Sequence, residues 1–253
     1  MPQPDSPPPA IEFRGVTKSF SHGSGRRLLI LQLFRQLAGH WKQSAENQFY
    51  ALRDISFSVD RGESLALIGH NGAGKSTLLS LATRVAEPDE GEVIVRGRLS
   101  SVLDLGAGFH PDLTGYENLT LNASLIGFSR EQIAASTPAV IEFCGLGKFL
   151  EDPIRTYSSG MVMRLAFAIA VELDPDVIVI DEMIAVGDDE FQKKCLLRIR
   201  GLRERGKTIL LASHNLPTIL EFCDHALWLD HGRVKMQGRA AEVVKAYKSR
   251  ASM

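Results

Sequence analysis

The sequence predicts an α/β fold, and three stretches carry that prediction. The first is Ser64–Ile68, a short apolar run suited to a buried strand, followed by the glycine-rich loop Gly69–Thr77 and by Leu78–Ala82, which suits a helix. The second is Asp176–Ile180, an apolar strand that ends in the acid pair Asp181-Glu182. The third is Thr208–Ala212, another buried strand, followed at once by Ser213-His214-Asn215. Apolar strands with polar tips, interleaved with helical periodicity, are the pattern of strands and helices layered on one core.

The loop fits the phosphate-binding pattern with every required residue in place. Its glycines let the backbone close round phosphate oxygens without Cβ clashes. N–H groups at the helix start point at the anion with the helix dipole behind them. Gly69, His70, Asn71, Gly72, Ala73, Gly74, Lys75, Ser76 and Thr77 are therefore candidate ATP-binding residues. Lys75 brings a mobile charge to the β- and γ-phosphates, and Thr77 is a supporting hydroxyl. The Ser76 hydroxyl suits Mg2+, a hard ion that takes oxygen ligands and keeps water. ATP and Mg2+ are the cofactors this implies.

Asp181 stands at a strand tip beside the loop, where a carboxylate holds the ion through water, so Ser76 and Asp181 are the candidate metal residues. Glu182 is then placed to orient and deprotonate the attacking water, which makes it the candidate general base. His214, at the tip of the next apolar strand, suits a sensor that hydrogen-bonds the γ-phosphate or the water. His22, His40, His70, His225 and His231 have no comparable context. Phe20 and Tyr50 are the two candidates for stacking on adenine, with an ordinary core aromatic as the alternative for each.

Residues 1–10, rich in Pro, Ser and Gln with nothing to bury, are expected to form a disordered tail. Ile11–Val16 alternates as a strand that ends near Phe20. Residues 26–42 place Ile30, Phe34, Leu37 and Trp41 at helical spacing among Arg26, Arg27, Arg35 and Lys42. Such a basic amphipathic helix suits a membrane interface or a groove in a membrane partner; the alternative is packing on its own domain. Ala51–Val59 alternates as a half-buried strand, and Arg61-Gly62 turns it toward the loop strand. Pro88–Gly91 reads as a turn, Glu92–Val95 and Leu99–Leu105 as strands, and Gly106–Pro111 as a loop. Tyr116–Ile126 and Glu131–Phe143 read as helices of an insert, Lys148–Arg155 as a connector, and Met161–Leu173 as an apolar helix. Ala226–Asp230 and Arg233–Met236 form a hairpin, and Ala240–Tyr247 a terminal helix.

A chain of 253 residues has room for one large domain or a core with a sub-lobe. With 29 Lys and Arg against 30 Asp and Glu, bulk charge draws it to neither nucleic acid nor an acidic membrane, and no nucleic-acid partner is expected. Cys144, Cys195 and Cys223 form no C-x-x-C pair, which argues against a disulfide framework or a cysteine zinc site. No window reaches the ~18 apolar residues of a spanning helix, and the Pro-rich start is no signal peptide, so a cytoplasmic location is expected.

With loop, acid pair and histidine in order, the chain resembles the nucleotide-binding subunit of ATP-binding cassette (ABC) transporters over nearly all of residues 11–240. Tyr157-Ser158-Ser159-Gly160-Met161 stands in the place of that family's Leu-Ser-Gly-Gly-Gln signature and opens an apolar helix. Hydroxyls, a backbone N–H and a positive dipole end converge there. The resemblance implies a P-loop NTPase RecA-like core with an antiparallel β subdomain and a helical signature subdomain. The core would be 11–105 and 166–238 with an amphipathic insertion over 21–50, the helical subdomain 106–165, and the C-terminal helix 239–253. It also implies a homodimer in which Ser158, Ser159 and Gly160 of one copy clamp the ATP held by the other. Asp188, in Ala185-Val186-Gly187-Asp188, keeps the acid of the family's Ser-Ala-Leu-Asp and is carried over as ATP-binding.

One departure from the common pattern is informative. Asp104–Pro111 contains no glutamine where the family generally has one ahead of the helical insert, so the glutamine's role as link between site and membrane partner is not carried over to any residue here. Leu-Gly-Ala-Gly-Phe-His-Pro, Tyr-Ser-Ser-Gly-Met, Ala-Val-Gly-Asp and the 26–42 segment together look like the ATPase subunit of polysaccharide exporters. That resemblance implies a Mg-dependent ATPase coupled to integral-membrane permease subunits, exporting lipid-linked O-antigen, capsule or teichoic acid. It would sit peripherally on the cytoplasmic face of the inner membrane and meet the lipid-linked glycan only through the permease. The end at Met253 resembles the type without a glycan-binding domain. The rival readings are a soluble cassette ATPase acting on ribosomes or DNA, and a nucleotide switch that does not hydrolyse. Against the first stands the single cassette without coiled-coil arms; against the second stand Glu182 and His214.

Overall fold

The computed structural model describes residues 7–21, 48–103, 106, 108–181 and 188–251. Two sheets organise them. The smaller is antiparallel, in the order β2-β1-β4, and is built from β1 (Ile11–Ser21), β2 (Gln48–Val59) and β4 (Glu90–Val95). The larger has six strands in the order β5-β6-β7-β3-β8-β9. These are β3 (Ser64–Ile68), β5 (Leu99–Ser101), β6 (Val177–Ile180), β7 (Thr208–Ala212), β8 (His225–Asp230) and β9 (Arg233–Arg239). All its neighbours are parallel except the β8–β9 hairpin.

β3, β6 and β7 are continuous apolar runs and every residue in them is buried, as parallel strands covered on both faces require. The two-residue period divides their side chains between two cores. Ala66, Ile68, Ile178, Ile180, Ile209 and Leu211 face one, while Leu65, Leu67, Val177, Val179, Leu210 and Ala212 face the other with the small sheet.

Helix α1 (Lys75–Ala82) leaves the end of β3 through the glycine-rich loop. The insert between β5 and β6 holds α2 (Gly115–Ile126), α3 (Arg130–Cys144) and α4 (Ser159–Glu172). Capping boxes start α2 and α3, from Thr114 with Glu117 and from Ser129 with Gln132. The connector at 148–155 is wound into two short 3-10 turns, Gly147–Glu151 and Ile154–Thr156. Rings of Phe143, Phe167 and Phe191 lie 5.6–6.1 Å apart and tie the insert to α5 (Asp189–Glu204). Helix α6 is Leu216–Phe222, capped by Asn215, and α7 is Ala240–Ala251.

Several boundaries differ from the sequence reading. β1 runs on to Ser21, past Phe20, because its partner β2 begins early at Gln48 and pairs with it there. Glu90 and Gly91 belong to β4, since Gly91, at φ 81, lets the strand pass so close to Arg14 and Gly15 that an added Cβ would lie 2.4 Å from both carbonyl oxygens. Helices α5 and α6 are additions to it. The amphipathic segment 26–42 lies outside the described residues. Among those described, no helix is long and apolar enough to cross a membrane. The three cysteines are free and buried, and burial pushes Cys195 and Cys223 up to about 12, so they stay protonated thiols.

Candidate functional site

The site is built at the carboxyl ends of three adjacent parallel strands, β6, β7 and β3. Pairing of Ile180 with Leu211, and of Leu67 with Ala212, brings Asp181, His214 and the loop after Ile68 to one edge of the sheet. Open α/β sheets bind ligands at that edge, where helix starts and strand tips converge.

The loop needs its glycines. Gly69 sits at φ 155 with its missing Cβ only 2.4 Å from the Leu229 carbonyl oxygen, and a Cβ on Gly74, at φ 108, would lie 2.7 Å from the Ala51 oxygen. Lys75 Nζ donates to the carbonyl oxygens of Gly69 at 2.7 Å and His70 at 3.2 Å, so the side chain curls over the loop it starts from. Burial lowers the Lys75 pKa below the usual ammonium range, while the Asp181 carboxylate opposes that drop. His70, Asn71, Gly72 and Ser76 are exposed, Thr77 and Asp181 are half-buried, and Ala73 is buried. The β8–β9 turn holds the loop from behind. The Gly232 N–H donates to the Ala73 oxygen at 3.0 Å, and the Gly232 oxygen accepts from the Arg53 N–H at 2.8 Å.

His214 is exposed at the tip of β7, next to Ser213, whose hydroxyl accepts from the Asn215 N–H at 3.0 Å. Asp181 and His214 both make interactions in the folded chain. Glu182, the candidate general base, lies outside the described residues, as do Asp104, Leu105, Ala107 and Ala185–Gly187.

Of the two aromatic candidates, Phe20 is 49% exposed, with Lys18 Nζ 5.8 Å from its ring centre. The half-buried Tyr50 has the Arg53 guanidinium 4.0 Å from its own ring centre. Phe49, absent from the sequence reading, pairs across the strands with Phe20 and is 50% exposed. Its partnership with Phe20 follows from register, which the sequence does not reveal. Asp89 accepts from Lys18 Nζ at 2.8 Å and from the Ser19 backbone at 2.7 Å, and so fixes the strand end that carries Phe20.

Ser158, Ser159 and Gly160 stand together at the start of α4. Ser158 caps the helix, its Oγ accepting from the Met161 N–H at 3.3 Å, and both serines are exposed. Asp188 caps α5 in turn, accepting from the Phe191 N–H at 2.9 Å, and pairs with Arg164 on α4. The Phe191 bond holds the Asp188 carboxyl below its usual range; burial opposes it, and Arg164 adds to the lowering. Arg164, which the sequence reading did not single out, thus ties the serine-tipped helix to Asp188.

The ABC transporter family model matches residues 52–185, which is just over half of the chain. An O-antigen export system ATP-binding protein of Klebsiella pneumoniae is 43% identical over 247 residues, covering 95% of this chain and 98% of that protein. One from Myxococcus xanthus is 42% identical over 96% of this chain, which spans 56% of the relative. A teichoic acids export ATP-binding protein of Listeria innocua is 40% identical over 94% of this chain and 69% of that protein. Among solved structures, an ATP-binding subunit of an ABC transporter superposes with a TM-score of 0.73 at 25% identity, covering 94% of this chain and 93% of the other. A dimeric ATP-binding cassette bound to ADP and phosphate matches in fold, with a TM-score of 0.69 at 21% identity over 91% of this chain and 98% of its own. The chain belongs to the ABC transporter family, as one of its ATP-binding cassettes.

Proposed function

We propose that the chain hydrolyses ATP with Mg2+ as one half of a homodimer, and that dimer closure drives export of a lipid-linked polysaccharide through a separate membrane permease. The observation that carries this reading is the convergence of Lys75, Asp181 and His214 at one edge of the sheet, on a chain 43% identical to an O-antigen export ATP-binding protein. Identities of 40–43% to both O-antigen and teichoic acid export proteins favour a glycan over a ribosomal or DNA substrate.

In this reading the loop amides and Lys75 bind the β- and γ-phosphates. The Ser76 hydroxyl and the Asp181 carboxylate are hard oxygen donors of the kind Mg2+ takes, and they would hold it between loop and strand tip. When bound, the ion neutralises charge on the phosphate oxygens. Glu182 takes the proton of the attacking water, and His214 hydrogen-bonds the γ-phosphate. Phe20, with Phe49 beside it, offers the adenine a ring face, and Tyr50 remains the alternative. Ser158, Ser159 and Gly160 complete the site of the opposite copy, with Asp188 and Arg164 holding α4 in place.

Peripheral attachment to the cytoplasmic face of the inner membrane follows from the permease partnership.

Phosphate release by the purified chain tests the chemistry. Turnover is expected to vanish in Lys75→Ala. In Glu182→Gln it should fall by about 10²–10⁴-fold with ATP still bound, the range a positioned base contributes. Turnover unchanged in Glu182→Gln would count against the site.

A further inference from the structure

His70 and His231 lie far apart in sequence, yet the fold brings both beside Asp230. One imidazole comes from the phosphate loop, the carboxylate from the end of β8, and the second imidazole from the β8–β9 turn. Their ligand atoms all lie within 4.8 Å of one another, and the two rings are 4.7 Å apart between centroids.

The hydrogen bonds around the cluster prepare it for a cation. His70 Nδ1 lies 2.7 Å from the Asn71 carbonyl oxygen, which only accepts, so Nδ1 carries the proton. In the neutral ring that leaves the Nε2 lone pair facing Asp230 Oδ1, 3.6 Å away. Two acceptors opposed across such a gap call for positive charge between them. The other carboxylate oxygen, Oδ2, takes Arg250 and, at 3.5 Å, Lys235, so outer partners orient Asp230 while Oδ1 stays turned to His70. Hydrogen-bonded outer partners orient metal ligands in the same way.

His231 occupies a left-handed backbone position, φ 49, where Asn or Gly is the commoner choice. The turn that carries it is fastened to the phosphate loop through Gly232 and Ala73, so the two histidine-bearing segments keep their separation.

We propose that His70, Asp230 and His231 form a binding site for a borderline divalent cation of the zinc class. Ligands about 2.0–2.1 Å from a tetrahedral zinc stand about 3.3 Å from one another. The His70–Asp230 pair is already within a few tenths of an ångström of that spacing, and the exposed His231 ring closes the remainder by rotation. Two imidazoles and one carboxylate select zinc over Mg2+, which demands oxygen, so this site is chemically distinct from Ser76 and Asp181. Three protein ligands at a solvent-facing corner leave the fourth position to water. The bound ion ties His70, whose carbonyl accepts from Lys75 Nζ and the Ala73 N–H, to the turn behind the loop.

The test is zinc titration of the purified full-length chain without nucleotide, by equilibrium dialysis, with X-ray absorption on the loaded protein. One zinc per chain in a nitrogen and oxygen shell with imidazole scattering is expected. His231→Asn suits the left-handed turn and should weaken zinc at least about tenfold, the lower end of what disturbing a metal site costs. Its zinc-free ATP turnover and melting temperature should match the parent. Failure to bind zinc, sulfur in the shell, or equal affinity in His231→Asn would overturn the assignment, whatever the outcome for hydrolysis.

Discussion

Replacing Gly232 with Ala tests how the phosphate loop is held. An added Cβ would lie 2.5 Å from the Ala51 oxygen, 3.0 Å from its carbonyl carbon and 3.3 Å from Leu52 Cα. All three are backbone atoms of β2, so no rotamer change relieves the contact. The left-handed conformation, φ 72, costs an Ala about 1–2 kcal/mol. Moving the turn away strains the bonds to Ala73 and Arg53, worth about 0.5–1.5 kcal/mol each. Together these give a loss of about 2–5 kcal/mol, or a fall of about 4–20 °C in melting temperature for a chain of this size. Gly145→Ala is the control. Its φ of 64 is similar, but no heavy atom lies within 4 Å, so it carries only the conformational cost. Thermal unfolding by circular dichroism and ATP affinity are the measurements. Gly232→Ala should melt lower than Gly145→Ala and alone lose ATP affinity; equal falls in both variants would refute the idea that the turn braces the loop.

Three further perturbations have defined outcomes. Asp89 feels burial, which raises its pKa, but the bonds from Lys18 and Ser19 prevail and hold it below 3.8. Its contribution is therefore complete above the unfolded value and lost as pH falls through the depressed folded one, so the gap in melting temperature between parent and Asp89→Asn should persist at pH 7 and close only as pH falls below 3.8. Ser158→Ala removes the α4 cap at a cost of about 0.5–2 kcal/mol in stability, and should lower ATP turnover further than that loss of folded protein explains. Phe20→Ala should weaken ATP about 2- to 12-fold, from about 0.5–1.5 kcal/mol of ring stacking, with GTP affected less if adenine is the stacked base; nucleotide titration by fluorescence reads this.

The strands of the central sheet were legible because a parallel strand buried on both faces must be an unbroken apolar run, and Ser64–Ile68, Val177–Ile180 and Thr208–Ala212 are such runs. The phosphate loop was legible because its glycines have backbone reasons to be there. What escaped depended on pairing between distant segments. That Phe49 faces Phe20, that Arg164 meets Asp188, and that His70 and His231 share Asp230 are consequences of register and strand order, which local pattern does not encode. Helix α5 had a readable signal in Phe191, Cys195, Ile199 and Leu202, spaced along one face of a charged segment and capped by Asp188. There the charged residues between the apolar ones masked the period.

The proposal that two copies share each ATP is tested most directly by sedimentation of Glu182→Gln with and without ATP. Dimers that form only with ATP, and disappear when Ser159→Glu is added to place a negative charge at the serine-tipped helix, are the expected result. A Glu182→Gln protein that stays monomeric at saturating ATP, or that dimerises equally without it, would contradict a shared site.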